Sequence, residues 1–305
     1  MKKEVKNKAA SVRARLGNLA KAEAIDFDAL LLRYFQERLL YRLATSEFSD
    51  QFVLKGGLLL VGLKIPRSRA TKDIDLLAER IGNDPFELER AFGAIADVSC
   101  DDGVKFYPST ITTERIKEDT DYEGIRLKID ASLEQARKKL QIDIGFGDVI
   151  VPEARTMVFP TLLEEEPPRI KVYSLESIIA EKFEAMIRLA MANSRMKDFY
   201  DVYTLSVGHD FRGAILRDAI ESTFRRRATP MPEDPLIFRG EFHQNAGRQQ
   251  QWIAFLRKAR LQDPDLKFEQ VMKRITIFLT PVVQSVSRKE RFERSWDSKA
   301  GSWKK

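Results

Sequence analysis

The chain has 305 residues, 43% hydrophobic and 32% charged, which allows one large or two medium packed domains and matches an ordinary soluble enzyme. It contains no apolar run of about 18 residues, so a membrane-spanning helix is excluded, and its one cysteine, Cys100, can build neither an internal disulfide nor a zinc knuckle. The net charge of +6 suits a polyanionic partner such as nucleic acid, and equally a plain solvated surface.

The N-terminal "MKKEVKNKAASVRARLGNLA" is basic without an apolar core, so no signal peptide is expected, and a reducing cytoplasm is the natural compartment. Residues 12–46 read as two helices broken near Asp26, which caps the second; Leu31, Tyr34, Phe35 and Leu39 recur there at helical spacing. In "QFVLKGGLLLVGL", Phe52 to Lys55 form a short strand, Gly56 and Gly57 turn, and a short helix starts at Leu58. "KDIDLLAE" is the next strand and Phe86 to Ala96 a helix. Between Gly103 and Ile150 the alternation has period two, with "EGIRLKIDASLE" and "KKLQIDIGFGDVI" as antiparallel strands around a polar turn at Gln135 to Lys138. The paired prolines of "EEEPPRI" bar a helix, and beyond them Leu175 to Ala192, Met196 to Ser206 and the rest read as helix. The boundary is expected near residue 168. The expected class is α+β: a mixed sheet flanked by helices over 1–168, then a mainly helical half over 169–305 ending in a basic tail from about 286.

Asp73 and Asp75 stand two apart on a predicted strand, so both carboxylates share one face while Ile74 and Leu76 face the core. Like charges so close repel, and a divalent cation relieves them; Mg2+ takes carboxylate and phosphate oxygens. Upstream, "KGG" stands where a strand turns into a helix. Backbone N–H groups are exposed there and glycine admits a phosphate closely, although no Walker lysine follows. Asp143, in "LQIDIGFGD", is a third acid on a predicted strand. If that strand lies beside the first, three carboxylates converge and two metals could hold a triphosphate in line. Asp130 competes for this place, and Asp143 is preferred because glycines follow it.

In the helical half, Lys182 lies on the apolar stripe of Leu175, Ile178, Ile179, Phe183 and Met186, where it must snorkel or meet an anion. Asp198 and Asp201, three apart, lie on nearby helix faces; Asp198 aligns with Val202 and Leu205 on the packed side and needs a partner such as Lys182 or Arg195. Arg195 and Lys197 are candidates for nucleotide or RNA phosphate. The run Arg225 to Arg227, and the tail with Trp296 and Trp303, could hold RNA by charge and stacking; the tail could equally be disordered or dock an acidic antitoxin.

"KGG", "RATKDIDLL" and "QIDIGFGD" resemble the core of the DNA polymerase β-like nucleotidyltransferases. More narrowly, with "NLAKAEAIDFDALLLRYFQERLLYRL", "FVLKGG", "EKFEAM" and "NSRMKDFYDVY" in order, residues 10 to 260 resemble the AbiEii/AbiGii toxin family, which includes the MenT toxins. The resemblance implies a toxin of a toxin–antitoxin or phage-defence system that moves NMP from an NTP to an acceptor hydroxyl. It implies Mg2+ or Mn2+ as cofactor, the 3′ end of a tRNA as acceptor, and a cognate antitoxin as partner. Carried over, Asp73, Asp75 and Asp143 would be metal ligands, and Gly56 and Gly57 would cradle the triphosphate. Arg69 and Thr71 would support the nucleotide, and Lys182 and Asp198 would be functional, Asp201 being the alternative acid. Many relatives in the wider superfamily have Gly-Ser at the turn; here Lys55 or Arg69 would replace the missing hydroxyl, and the helical half would complete the active-site cleft. Transfer to protein or a small molecule, and a non-catalytic nucleotide- or RNA-binding module, are the rival readings.

Overall fold

The computed structural model describes residues 7–65, 69, 71–118, 122–259, 261, 263 and 265–305. The chain divides into two compact units, one comprising Met1–Leu63, Ala70–Gly147 and Arg155–Val172, the other Lys64–Arg69, Asp148–Ala154 and Tyr173–Lys305.

The first unit begins with two helices, α1 (Lys8–Ala22) and α2 (Phe27–Thr45). Asn7 and Asp26 cap them, each side-chain oxygen accepting from a backbone N–H three residues on at 3.0 Å. Then come β1 (Phe52–Lys55), α3 (Gly56–Gly62), β2 (Asp73–Ala78), α4 (Pro85–Ala96), β3 (Lys105–Glu118), β4 (Tyr122–Leu133) and β5 (Ala136–Phe146). Strands β6 (Arg155–Val158) and β7 (Arg169–Val172) complete it. The described strands form one seven-stranded mixed sheet in the order β3-β4-β5-β2-β1-β7-β6. Pairs β2–β5 and β1–β7 are parallel and the other pairs antiparallel.

Period-two alternation gives this sheet an apolar face, on which Leu54, Ile74, Leu76, Ile142, Ile144, Ile125 and Leu127 are buried and Phe52 meets Phe92 of α4 edge-on at 5.3 Å. Two local expectations shift. The glycine pair is not a turn ahead of the helix: α3 begins at Gly56 itself. The β4–β5 turn is tighter than expected, because Leu133 pairs directly with Ala136 across Glu134 and Gln135. Just past the boundary expected near 168, Arg169–Val172 pairs with both β1 and β6.

The acidic stretch before that strand is tied down by the first two helices. Arg15 binds Glu165 at 2.8 Å, Tyr41 donates to Glu166 at 2.8 Å, Arg38 donates to the Glu166 carbonyl, and the Leu162 amide donates to Glu37 at 2.8 Å. Residue α2 Arg42 grips Asp102 through two hydrogen bonds of 2.6 and 3.1 Å. Much of the second helix is thus buried, and its polar side chains Gln36, Glu37, Arg38 and Arg42 each make a specific bond.

The second unit contains α5 (Leu175–Leu189), α6 (Met196–Gly208), β8 (Phe211–Arg212), α7 (Gly213–Arg226), α8 (Gly240–His243), α9 (Ala246–Ala259) and α10 (Phe268–Ser287). Two further strands follow, β9 (Ser295–Asp297) and β10 (Ser302–Lys304), which form an antiparallel three-stranded sheet with β8. The basic tail is therefore folded. Trp296 is 1% exposed and its indole N–H donates to the Ser206 carbonyl at 2.7 Å. Trp303 donates to the Phe278 carbonyl at 2.9 Å and stacks on that ring at 5.7 Å. Trp296 is thus a core residue packed against α6 and α10, and the half-buried Trp303 is anchored to α10. Arg227 is likewise internal: it pairs with Asp148 at 3.0 Å and Glu184 at 2.9 Å, with Glu181 at 3.6 Å. Among the described residues, no helix is long and apolar enough to cross a membrane.

Two stability measurements follow from this packing. Trp296→Ala should cost about 3–5 kcal/mol in urea unfolding, the range for truncating a buried aromatic; an unchanged midpoint would refute the core assignment. Burial pushes the Glu37 carboxyl up from 4.5 to about 7, against the Leu162 amide and the charges of Arg38 and Arg33, which favour ionisation. A folded carboxyl that holds its proton more tightly than the unfolded one contributes stability below pH 4.5 and loses it as pH rises through about 7, on the order of 3 kcal/mol. Glu37→Gln should remove that decline, so the variant overtakes the parent in stability above pH 7; parallel pH profiles would refute the shift.

Candidate active site

The face of the first unit's sheet opposite its apolar core carries a row of charge. Lys55 of β1 pairs with Asp75 of β2, Asp75 with Asp143 of β5, Asp143 with Arg126 of β4, and Arg126 with Glu114 of β3. Five neighbouring strands thus contribute one charged residue each at the same level. The next level holds Asp73, Gln141, Lys128 and Thr112 in register. Asp73 and Asp75 fall on one face, as their spacing requires, because Ile74 between them is buried on the other.

The turn is shaped around Asp75. Gly56 has φ +68°, and a Cβ built there would lie 2.0 Å from Asp75 Oδ2. The glycine is needed for its left-handed backbone and for the carboxylate that lies against it. Lys55, only 7% exposed, is the residue preceding this helix start. Thr71 Oγ1 donates to the Asp73 carbonyl at 3.4 Å and so steadies the entry to β2.

Asp143 stands opposite Asp75, while Asp130 sits two residue levels away, paired with Lys139 at 3.5 Å. The register therefore favours Asp143 as the neighbouring acid. Its carboxylate, however, is held by Arg126 in a two-pronged pair, Nε–Oδ1 and Nη2–Oδ2 both at 2.8 Å, and Gln141 donates to Oδ2 at 3.3 Å. Hydrogen bonding to Asp143 raises the Arg126 pKa, aided by the charges of Asp143, Glu114 and Asp73 and opposed by burial. Among the described residues no three His, Cys, Asp or Glu side chains gather closely enough to hold a metal ion. In this arrangement a guanidinium neutralises the third of the expected carboxylates. The fit to Mg2+ is narrower: a pair of carboxylates on one strand face, with substrate phosphates supplying further oxygens, meets the usual demand of this ion.

In the second unit, Lys182 of α5 bridges two acids of α6, with Nζ 2.7 Å from Asp198 and 2.9 Å from Asp201. Arg195 pairs with Asp198 at 2.8 Å, and Arg69 with Asp201 at 3.3 Å. Arg69 thus sits with the helical acids, while Thr71 belongs to the first unit. Burial alone would lower the Lys182 pKa; the charges of Asp198 and Asp201 outweigh it and hold the ammonium protonated. Burial would raise Asp198, and Lys182 and Arg195 override it, keeping the carboxylate ionised. Lys197 is exposed one residue before Asp198. Three close-packed cations thus surround two buried carboxylates, leaving an excess of positive charge suited to phosphate.

Two residues escaped the sequence reading. Arg126 shows no local sign of its role, which comes from the register. Arg248 of α9 is 4% exposed and donates to the carbonyls of Asn193 at 2.7 Å, Met191 at 2.6 Å and Ala190 at 3.2 Å, with its guanidinium 3.8 Å above the Phe242 ring. It fixes the α5–α6 connection, in which Asn193 also accepts from the Arg195 amide at 2.7 Å. Lys182 and Asp198 lie on the two helices this connection joins.

Residues 38–274 match the family model described as nucleotidyl transferase AbiEii toxin, type IV toxin–antitoxin system. The chain is also similar to the crystal structure of JHP933 from Helicobacter pylori, at 16% identity and a TM-score of 0.49, covering 87% of this chain and 95% of that one. A second H. pylori crystal structure, described as a candidate nucleotidyltransferase, is similar at 16% identity and a TM-score of 0.49, covering 88% of this chain and 100% of that one. No curated protein matches the chain.

The contact at Gly56 yields a direct test. Gly56→Ala puts a methyl group into the Asp75 carboxylate and strains the backbone, and should lower unfolding stability by about 1–3 kcal/mol. A thermal melt identical to the parent's would show that the carboxylate does not lie there.

Proposed function

The chain belongs to the AbiEii nucleotidyl transferase toxin family of type IV toxin–antitoxin systems, and from that premise we propose that it moves NMP from an NTP to the 3′ hydroxyl of a tRNA, blocking translation. The observation that carries the reading is the Asp73–Asp75 pair on one strand face against the Gly56 backbone. Asp73 and Asp75 would hold Mg2+, which supplies charge neutralisation of the triphosphate and polarises the attacked phosphoryl oxygen. The backbone at Gly56 and Gly57 would receive a phosphate beside the Asp75 carboxylate, and Lys55 adds positive charge there. Thr71 keeps β2 in place beneath the carboxylates. The acceptor oxygen bonds to the α-phosphorus, the bond to the bridging oxygen breaks, and pyrophosphate leaves with that electron pair while the hydroxyl proton passes to water.

The second unit carries its own group of fixed cations. Lys182, oriented by Asp198 and Asp201, and its neighbours Arg69, Arg195 and Lys197 form the group to which we assign phosphate binding of nucleotide or RNA. Preorganisation matters because a lysine already held by two carboxylates loses little freedom when a phosphate arrives. The net charge of +6 supports a polyanionic acceptor. Family membership brings a cognate antitoxin as partner, and NTP and tRNA as substrates place the reaction in the cytoplasm, where growth arrest would serve phage defence.

The test is incubation with each α-labelled NTP and Mg2+, with total RNA or with RNA-free lysate, followed by sequencing of RNA 3′ ends. Label should enter tRNA 3′ ends, and Asp75→Asn should reduce it at least about a hundredfold, the scale of losing one preorganised electrostatic partner. Label on protein alone would reject the RNA acceptor, and full activity in Asp75→Asn would reject the site.

A further inference from the structure

Asp143, the third of the expected acids, is occupied in a way that the metal-dependent reading above does not require, and the inference here rests on that reading. We propose that Arg126 is an internal counter-cation that competes with a divalent metal for Asp143, so that metal is held through Asp73 and Asp75 alone until the Arg126–Asp143 pair opens.

Three observations support it. The register places Asp143 directly beside Asp75, so nothing in the strand pairing keeps it from a shared ion. Its two oxygens are both taken at 2.8 Å by one guanidinium, the geometry in which a fork of N–H donors matches a carboxylate. Asp143 is itself only 8% exposed, so that guanidinium is its principal counter-charge. Arg126 is also the residue best placed to be let go: it is about a third exposed, and Glu114, at 3.8 Å and itself half exposed, offers a second carboxylate on the same face. Gln141, at 3.3 Å, would keep Asp143 oriented when the guanidinium leaves. Asp143 is therefore a withheld ligand, and the identity of residue 126 sets how tightly the free enzyme holds metal.

The probe is Mn2+ alone, titrated into the full chain and read by loss of the free-ion electron paramagnetic resonance signal. Wild type and Asp143→Asn should bind within about twofold of each other. Arg126→Met should bind at least about tenfold tighter, since one bidentate pair leaves the competition. The double variant Arg126→Met/Asp143→Asn should return to the wild-type value, a reversal that a general structural effect would not produce. Arg126→Lys, which keeps a cation but loses the fork, should gain by a smaller factor and carries the test if the methionine variant does not fold. Equal affinity of Arg126→Met and wild type would overturn the inference, as would a gain that survives removal of Asp143 or a wild-type affinity that collapses in Asp143→Asn. Absence of Mn2+ binding in wild type and every variant, both alone and with a non-hydrolysable NTP analogue added, would instead overturn the metal-dependent reading itself.

Discussion

The parallel pairing of β2 with β5 sets Asp75 beside Asp143, two carboxylates on adjacent strands with no side chain between them. Like charges directly opposite each other weaken a sheet. The same row answers this at both ends, with Arg126 gripping Asp143 and Lys55 standing across from Asp75. The cations are thus part of the site's construction: the sheet can hold its acids together only because basic residues flank them. Asp73, one level away and paired in register with Gln141, adds negative charge to the same face.

The second unit solves the reverse problem. A buried lysine is costly unless paired, and Lys182 is paired twice. Its acids need cations in turn, which Arg195 and Arg69 supply. The network depends on how α5 meets α6, and there Arg248 binds three consecutive-region carbonyls without using a carboxylate in any of those bonds. Its charge complements the carbonyl-rich end of α5, where the helix dipole is negative. A residue well downstream in the chain thereby holds the connection between the two helices that carry the network.

Several local features were legible because their causes are local. Asp26 divides α1 from α2 as a cap, and Phe52 to Lys55 forms a strand with the bounds its residues suggest. Lys182 on an apolar stripe had either to snorkel or to meet an anion, and it meets two. The tail was less legible: its basic residues obscured Trp296 and Trp303, whose anchoring depends on α6 and α10, earlier in the sequence. Arg227 was hidden in the same way, as one of three consecutive arginines whose partners Asp148 and Glu184 lie tens of residues earlier.

By itself the sequence determined what period and capping determine: an α+β chain, the helix starts, and the placement of Asp73 and Asp75 on one strand face. Those follow from backbone geometry over a few residues. Only the tertiary structure decided that Asp143 rather than Asp130 adjoins Asp75, that Arg126 takes hold of it, and that Gly56 accommodates the Asp75 carboxylate. Strand order and register are set by packing between segments distant along the chain, and a shift of one residue would have sent every charge of that row to the opposite face.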